Sequence, residues 1–386
     1  MNLITDTPSL MSFCQQLQKE DQGGFITVDT EFIREETFWP KLCLVQVAGS
    51  QRAALIDPLA PEIDLTALFN LMANPQIIKV FHAARQDLEI FFYLSQAIPK
   101  PIFDTQVAAM VCGFGESVGY DSLVQSLTNT TIDKSSRFTD WSQRPLSEKQ
   151  LNYALQDVTH LRTIYQHLKY QLDKAQRSAW IEEEMAVLES SQTYTISPQD
   201  AWKRIKTRSD SPGFLARVQA LAALRENAAV SLDVPRNRIF RDQILLEIAA
   251  QPPKSFQELS QMRGVPNYLL KHKEGTHLLE VLAQAMTLPL SESPRRIRQP
   301  VKTSGTEAIV ELLRVWLKQV CHKHNVAQKL VATSSDLEMI AASLEGDIPA
   351  LRGWRYEIFG RDAVALKEGQ AYLAVENNKL TLIKKL

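Results

Sequence analysis

The chain opens on a helical signal and then switches to short apolar runs. Thr7 precedes Pro8 and is the expected N-cap, with the proline at the first helical position, and Gly23 and Gly24 close the segment. The first strand follows at "FITVD" (25–29). Further β-branched runs come at "LCLVQVA" (42–48), "RAALID" (52–57), "QIIKVF" (76–81) and "PIFD" (101–104), with helical patterns starting from Leu65 and from His82. Three strands in quick succession, then helix, strand, helix, strand, predict a mixed sheet with helices packed on it, an α/β layout.

From Gln106 the pattern is helical. Its clearest segment, "LSEKQLNYALQDVTHLRTIYQHLKYQL" (146–172), begins with Ser147 and Gln150 in an S-x-x-Q capping box just after Pro145. Leu151, Leu155, Val158, Leu161, Tyr165, Leu168 and Leu172 recur at intervals of three or four and form one apolar stripe, with Tyr153, Asp157 and His160 beside its centre. Residues 176–206 read as a connecting helix within a linker that extends to 209. Two all-helical units follow, 210–290, with a second capping box at Ser255 and Glu258, and 306–386. The Pro/Arg-rich stretch 291–305 separates them. The final residues alternate around Asn377-Asn378 and read as a β-hairpin.

Composition narrows the class. A chain of 386 residues with 45% hydrophobic content is too long for one core and implies two or three domains. No stretch reaches the roughly 20 uncharged apolar residues that span a bilayer, and the N-terminus lacks a basic and then apolar leader. The expectation is a cytoplasmic protein with no membrane attachment and no obligate protein partner. Cys14, Cys43, Cys112 and Cys321 form no C-x-x-C pair, which points away from zinc and from a disulfide framework. The net charge of −1 hides an asymmetry: the first 175 residues carry 14 Lys and Arg against 20 Asp and Glu, and the remainder 29 against 24. Residues 203–241 hold nine basic and three acidic side chains, either a surface for a polyanion or an ordinary solvated face.

Three acidic patterns carry the candidate chemistry. Asp29 and Glu31 follow the first strand, and alternation puts both on one face, where they can converge on a hard cation. Such acids also simply terminate sheets. Asp87 lies in the first turns of the helix after "FHAARQD", a place where an acid commonly faces the helix dipole. Tyr153 and Asp157, four apart, share a face of the capped helix.

In combination, D-x-E, then H-A-x-x-x-D, then Y-x-x-x-D resembles the DEDD exonuclease superfamily. Asn152 stands where the histidine subclass has its histidine, so the tyrosine subclass is the better match. "VDTEFIREETFWPKLCLVQVA", "LIDPL", "FDTQ" and "DWSQRPLSEKQLNYALQDV" narrow the resemblance to the bacterial ribonuclease D family, strongly over residues 20–170 and more loosely after 210.

That resemblance implies a ribonuclease H-like α/β nuclease domain (1–175) followed by two all-α HRDC-like domains (210–290 and 306–386). It implies a 3′-to-5′ exoribonuclease that uses two divalent ions, Mg²⁺ or Mn²⁺, and releases 5′-nucleoside monophosphates from RNA with a free 3′ end, tRNA precursors among them. Asp29, Glu31 and Asp157 would hold one ion, and Asp29 with Asp87 the second. Tyr153 would orient the attacking water, since an unperturbed phenol near pKa 10 is a poor base at neutral pH. Candidate nucleic-acid contacts are Phe32 and Trp39 as stacking platforms, His82 at the strand-to-helix junction, Lys134, Arg137 and Arg144 toward phosphates, and Arg236, Arg238 and Arg241 in the basic cluster. Two alternatives remain: a DNA 3′-to-5′ exonuclease of proofreading type, and a nuclease fold that binds nucleic acid without cutting it.

Overall fold

The structure, a computed structural model, describes residues 3–195, 197–289, 291–296 and 305–385. Most of the expected linker 291–305, from 297 to 304, therefore lies outside the described residues. The first helix, α1 (Thr7–Glu20), corrects the expected cap. Asp6 is the N-cap, its carboxylate accepting from the Ser9 N–H at 2.8 Å, and Thr7 is the first helical residue. A charged acceptor outcompetes the hydroxyl, which instead donates to the Glu62 carbonyl.

Six strands form one mixed sheet in the order β1 (Leu3–Ile4), β4 (Ala53–Ile56), β3 (Lys41–Ala48), β2 (Phe25–Ile33), β5 (Ile78–Phe81) and β6 (Ile102–Asp104). β3 runs antiparallel to both its neighbours, and the remaining pairs are parallel. The two-residue strand β1 is too short to show a period, so the sequence pattern does not reveal it. Helices α2 (Thr66–Ala73), α3 (Arg85–Ser95), α4 (Thr105–Val111), α5 (Tyr120–Thr128) and α6 (Glu148–Lys174) flank the sheet, which is the ribonuclease H-like arrangement. In α6, Ser147 and Gln150 form the reciprocal capping box. The expected connecting helix is broken: α7 (Ser178–Leu188) ends at its C-cap Glu189, and two 3₁₀ segments follow, Ser191–Thr193 and Pro198–Arg204, the second with Pro198 at its first position. Ile181 and Met185 of α7 pack into the nuclease core, so the segment is part of that domain's body.

The middle unit comprises α8 (Pro212–Leu232), α9 (Arg236–Ile239), α10 (Asp242–Ala250), α11 (Phe256–Gln261) and α12 (His272–Thr287). The last comprises α13 (Glu307–His324), α14 (Gln328–Val331), α15 (Ser334–Ala342), α16 (Gly353–Arg355) and, after a π-helical turn, α17 (Arg361–Lys367). It is not all-α. β7 (Ala371–Glu376) and β8 (Lys379–Lys384) close it as a hairpin, with Asn377 and Asn378 both at positive φ, the conformation that a two-residue turn demands.

The two units repeat one plan. A shift of 92 residues places the left-handed C-cap Asp233 on Asn325, α9 on α14 and α10 on α15, with Ile239, Leu245 and Ile248 of the buried face matching Val331, Leu337 and Ile340. Both repeats dock on the nuclease through this corner. Asp233 Oδ1 accepts from the backbone N–H groups of Phe38 and Trp39, both at 3.1 Å. Asn325 Nδ2 donates to the Cys112 carbonyl at 3.2 Å, and Ala327 N–H to the Met110 carbonyl at 2.9 Å. The approach is so close that a Cβ on Gly113 would meet the Asn325 side chain at 2.2 Å. The last unit shares one continuous apolar core with the nuclease, and the Trp180 and Trp354 rings stack at 4.3 Å. The middle unit keeps its own core, into which Phe38 is inserted.

Candidate active site

The site forms where β2 leaves the sheet. The β2–β3 register shifts between Glu31 and Phe32 because β3 carries one extra residue, Cys43, a bulge that bends the strand beside its two acids. The Thr27 hydroxyl of β2 donates to the Val158 carbonyl of α6 at 2.8 Å, which brings Asp157 up to the strand. The carboxylate oxygens of Asp29, Glu31 and Asp157 thus lie within 4.8 Å of one another. Asp87 arrives from α3, whose entry is held by buried Asp104: its carboxylate accepts from the N–H groups of Ala83, Ala84 and Gln106 at 2.8 to 3.0 Å. The Thr30 hydroxyl, between the two β2 acids, donates to Asp87 Oδ1 at 2.5 Å.

Four acids this close disfavour one another's charge. Burial, and then the neighbouring carboxylates Asp157, Asp87 and Glu31, push Asp29 well above the usual carboxylate range. Burial, and then Asp157 and Asp87, raise Glu31 to about 9. Burial lifts Asp87 and Asp157 to about 7 each, against hydrogen bonds from Thr30 and Tyr153 respectively. A cluster that resists its own ionisation, with oxygens converging on one point, is a site that a divalent cation would satisfy. Tyr153 is driven far above its ordinary value by burial and by Asp157, so its hydroxyl stays protonated.

Asp29, Tyr153 and Asp157 line a cavity of about 270 Å³ together with His82, Tyr120, Lys134 and Arg137. His82 Nδ1 lies 3.0 Å from the Thr105 hydroxyl, and burial lowers the ring's pKa, which keeps it neutral. Lys134 pairs with Asp121 at 2.6 Å. Arg137 is exposed on the cavity wall, close enough to lower the pKa values of Glu31 and Asp157. Tyr120, which no sequence pattern marks, is fixed by its hydroxyl to the Gln156 carbonyl at 2.9 Å. Neither it nor Thr30 belongs to a recurring spacing.

Other candidates are engaged elsewhere. Arg144 spends all five guanidinium N–H groups on protein: a two-point pair with Asp57 (2.6 and 2.7 Å) and the carbonyls of Trp141, Gln143 and Cys43. The Cys43 carbonyl belongs to the bulge residue, so Arg144 braces the bulge, and the expected phosphate contact is corrected. Arg236 makes a two-point pair with Glu226, 2.5 Å for each bond, and lies 4.5 Å above the Phe38 ring. It clamps the middle unit to the nuclease, with Nε and Nη2 committed to that pair. Trp39 is stacked on Tyr93 at 4.4 Å, which occupies one face of the ring, and Phe32 is half-buried against the main core. Arg238 and Arg241 are exposed and enter no ion pair among the described residues.

Comparison with known proteins adds to this geometry. A 3′-5′ exonuclease family model matches residues 1–173, and an HRDC domain model matches residues 214–282. Ribonuclease D of Granulibacter bethesdensis is 47% identical over 384 residues, covering 99% of this chain and 96% of its own. Ribonuclease D of Nitrobacter hamburgensis is 44% identical with both chains fully covered. The crystal structure of Escherichia coli RNase D, described as an exoribonuclease involved in structured RNA processing, superposes with a TM-score of 0.82 at 28% identity, covering 96% of this chain and 99% of that one.

Proposed function

The chain belongs to the ribonuclease D family and is a 3′-5′ exoribonuclease, and from that premise we propose how its own residues carry the reaction and on which RNA. The ribonuclease reading is favoured over the DNA exonuclease alternative. Enzymes of this acidic-cluster class depend on divalent metal ions. The observation that carries the site assignment is the convergence of Asp29, Glu31 and Asp157 oxygens within 4.8 Å, with Asp87 adjoining.

Asp29, Glu31 and Asp157 would hold one cation, and Asp29 and Asp87 a second, Mg²⁺ or Mn²⁺. When bound there, the cations supply charge neutralisation to the phosphodiester and lower the pKa of the attacking water. The four carboxylates act as anionic ligands, not as proton donors. The Tyr153 hydroxyl donates a hydrogen bond to Asp157, leaving its oxygen lone pairs to accept one from the water. With a phenol held protonated, that contact orients the water and does not deprotonate it. Arg137 faces the phosphate from the cavity wall, while Lys134 and His82 border the terminal nucleotide. Arg238 and Arg241 attract the RNA body. The products are 5′-nucleoside monophosphates, the substrates are 3′-extended tRNA precursors and other small structured RNAs, and the enzyme works in the cytoplasm. No helix among the described residues is long and apolar enough to cross a membrane. The unit from residue 306 is a second HRDC-like domain, a reading supported by the 92-residue repeat of elements.

The test compares the wild type and Asp157→Asn on a 3′-extended tRNA precursor and a matched DNA strand, with Mg²⁺ or EDTA. Mononucleotides should appear from RNA only, with Mg²⁺ only, and from the wild type only. Equal turnover by Asp157→Asn would sink the site assignment.

A further inference from the structure

The strand entering this cavity needs an aromatic surface on which its bases can stack, and the residues the sequence offered do not provide an open one. Trp39 lies against Tyr93, and Phe32 packs toward the core. One aromatic beside the cavity stands open to solvent. Phe138 is 90% exposed, the highest value of any large hydrophobic side chain among the described residues.

Its loop holds it out. A 3₁₀ turn at Lys134–Ser136 is capped by Asp133, whose carboxylate accepts from Ser135 N–H at 2.9 Å, and Ser136 itself is buried. On the other side, the Thr139 hydroxyl donates to the Ser136 carbonyl at 2.7 Å and accepts from Gln150 Nε2, a member of the α6 capping box, at 3.1 Å. Two residues further on, Trp141 is 2% exposed within an apolar cluster. Both flanks of Phe138 are therefore anchored, and the ring projects from a braced loop at the cost of exposing its full apolar area to water.

The neighbouring side chain ties this ring to the chemistry. The Arg137 guanidinium lies 5.2 Å from the Phe138 ring centroid and also lines the cavity that contains Asp29, Tyr153 and Asp157. The phenyl face is thus one side chain away from the acids, coupled to a cation that faces phosphate. An exposed ring beside a guanidinium is the pairing that binds single strands: the base stacks, the cation takes the adjoining phosphodiester, and no base identity is read.

We propose that Phe138 is a base-stacking residue of this exoribonuclease, which together with Arg137 holds a nucleobase of the single-stranded 3′ segment at the cavity mouth. The proposal rests on the reading that RNA enters at this cavity. The ring does not touch the reacting atoms, so it positions substrate. A rigid aromatic also loses little conformational freedom on binding, which makes a braced loop a suitable mount.

The experiment measures kcat and KM with Mg²⁺ on a single-stranded oligoribonucleotide for the wild type, Phe138→Ala, Phe138→Leu and Phe138→Trp. The alanine variant should melt with the wild type and show KM raised about tenfold with kcat within a factor of two. Tryptophan should restore KM and leucine should not. A set of RNAs lacking one base, moved stepwise from the 3′ end, then locates the stacked nucleotide. At one position the wild type should lose the same factor, and Phe138→Ala should lose nothing further. Wild-type turnover with an unaffected Phe138→Ala, recovery by leucine equal to that by tryptophan, or additive losses at every abasic position would each overturn the stacking role alone. Failure of the wild type to degrade RNA would overturn the parent reading and this one with it.

Discussion

Replacing Asp157 with asparagine should stabilise the metal-free enzyme while abolishing its activity. Unfolded carboxyl groups titrate near 4, whereas burial holds Asp87 and Asp157 near 7 and Glu31 near 9. Between pH 4 and those values the folded state keeps protons that the unfolded state has lost. Stability is therefore fully present below pH 4, falls as pH rises to about 7 to 9, and levels off above that. For Asp157 the rise is about 3 units, and at about 1.4 kcal/mol per unit its ionisation costs roughly 4 kcal/mol by pH 8. An asparagine carries no charge and keeps an acceptor for the Tyr153 hydroxyl. Melting in EDTA at pH 8 should place Asp157→Asn above the wild type by about 5 °C, at about 1.2 °C per kcal/mol for a chain of 386 residues. The difference should vanish at pH 4. Mg²⁺ at about 100 times its Kd should raise the wild type by roughly 2.7 kcal/mol and leave the variant nearly unmoved. A variant that melts with or below the wild type in EDTA at pH 8, or a wild-type Tm that does not fall between pH 5 and 8, would refute the reasoning.

Tyr153→Phe should lower kcat by about 10- to 100-fold with KM and Mg²⁺ affinity near wild type, measured by steady-state kinetics and metal titration; a shifted KM with intact kcat would place the residue in binding instead. Arg144→Ala strands Asp57, which is 4% exposed, and should cost about 3 to 5 kcal/mol in urea melts. Neutralising Arg238 and Arg241 together should weaken RNA binding and reduce the slope of log K against log salt by about 1.4, the single-strand value for two phosphate contacts. Arg236→Ala should leave that slope unchanged and lower the melting temperature, because it releases buried Glu226.

The sequence and the structure agree most closely where chemistry demands a fixed spacing. Asp29 and Glu31 alternate along one strand, and Tyr153 and Asp157 stack on one helix, so both pairs are local and readable. Their union is not local: it depends on Thr27 reaching Val158 and on Asp104 holding the turn before Asp87, contacts 131 and 20 to 21 residues apart. "LIDPL", "FDTQ" and "DWSQRP" carry the family resemblance without revealing a role. In the fold they are scaffold, Asp57 pairing with Arg144 and Asp104 capping α3. Arg144 is misread from sequence because a free arginine and a saturated one look alike there. Phe138 escapes notice for a related reason: an isolated phenylalanine in a polar loop fits no period, and only the anchoring of its neighbours shows that it is held in solvent.

The repeated helical units show how one scaffold came to carry unequal surfaces. Asp233 and Asn325 both end a long helix in the left-handed conformation and both hydrogen-bond to nuclease backbone, so the docking corner is common to the two repeats. Beyond that corner the two copies diverge. Exposed Arg238 and Arg241 of the first repeat correspond to buried Leu330 and to Thr333 in the second, where Thr333 closes a capping box with Asp336. Leu330 joins the core shared with the nuclease, while Arg238 and Arg241 stay in solvent. The same helix turn is thus an apolar seam in one copy and a cationic surface in the other. A nuclease half with six more acids than bases needs cations to receive a polyanion, and the copy that did not merge its core is the one with that charge free to offer.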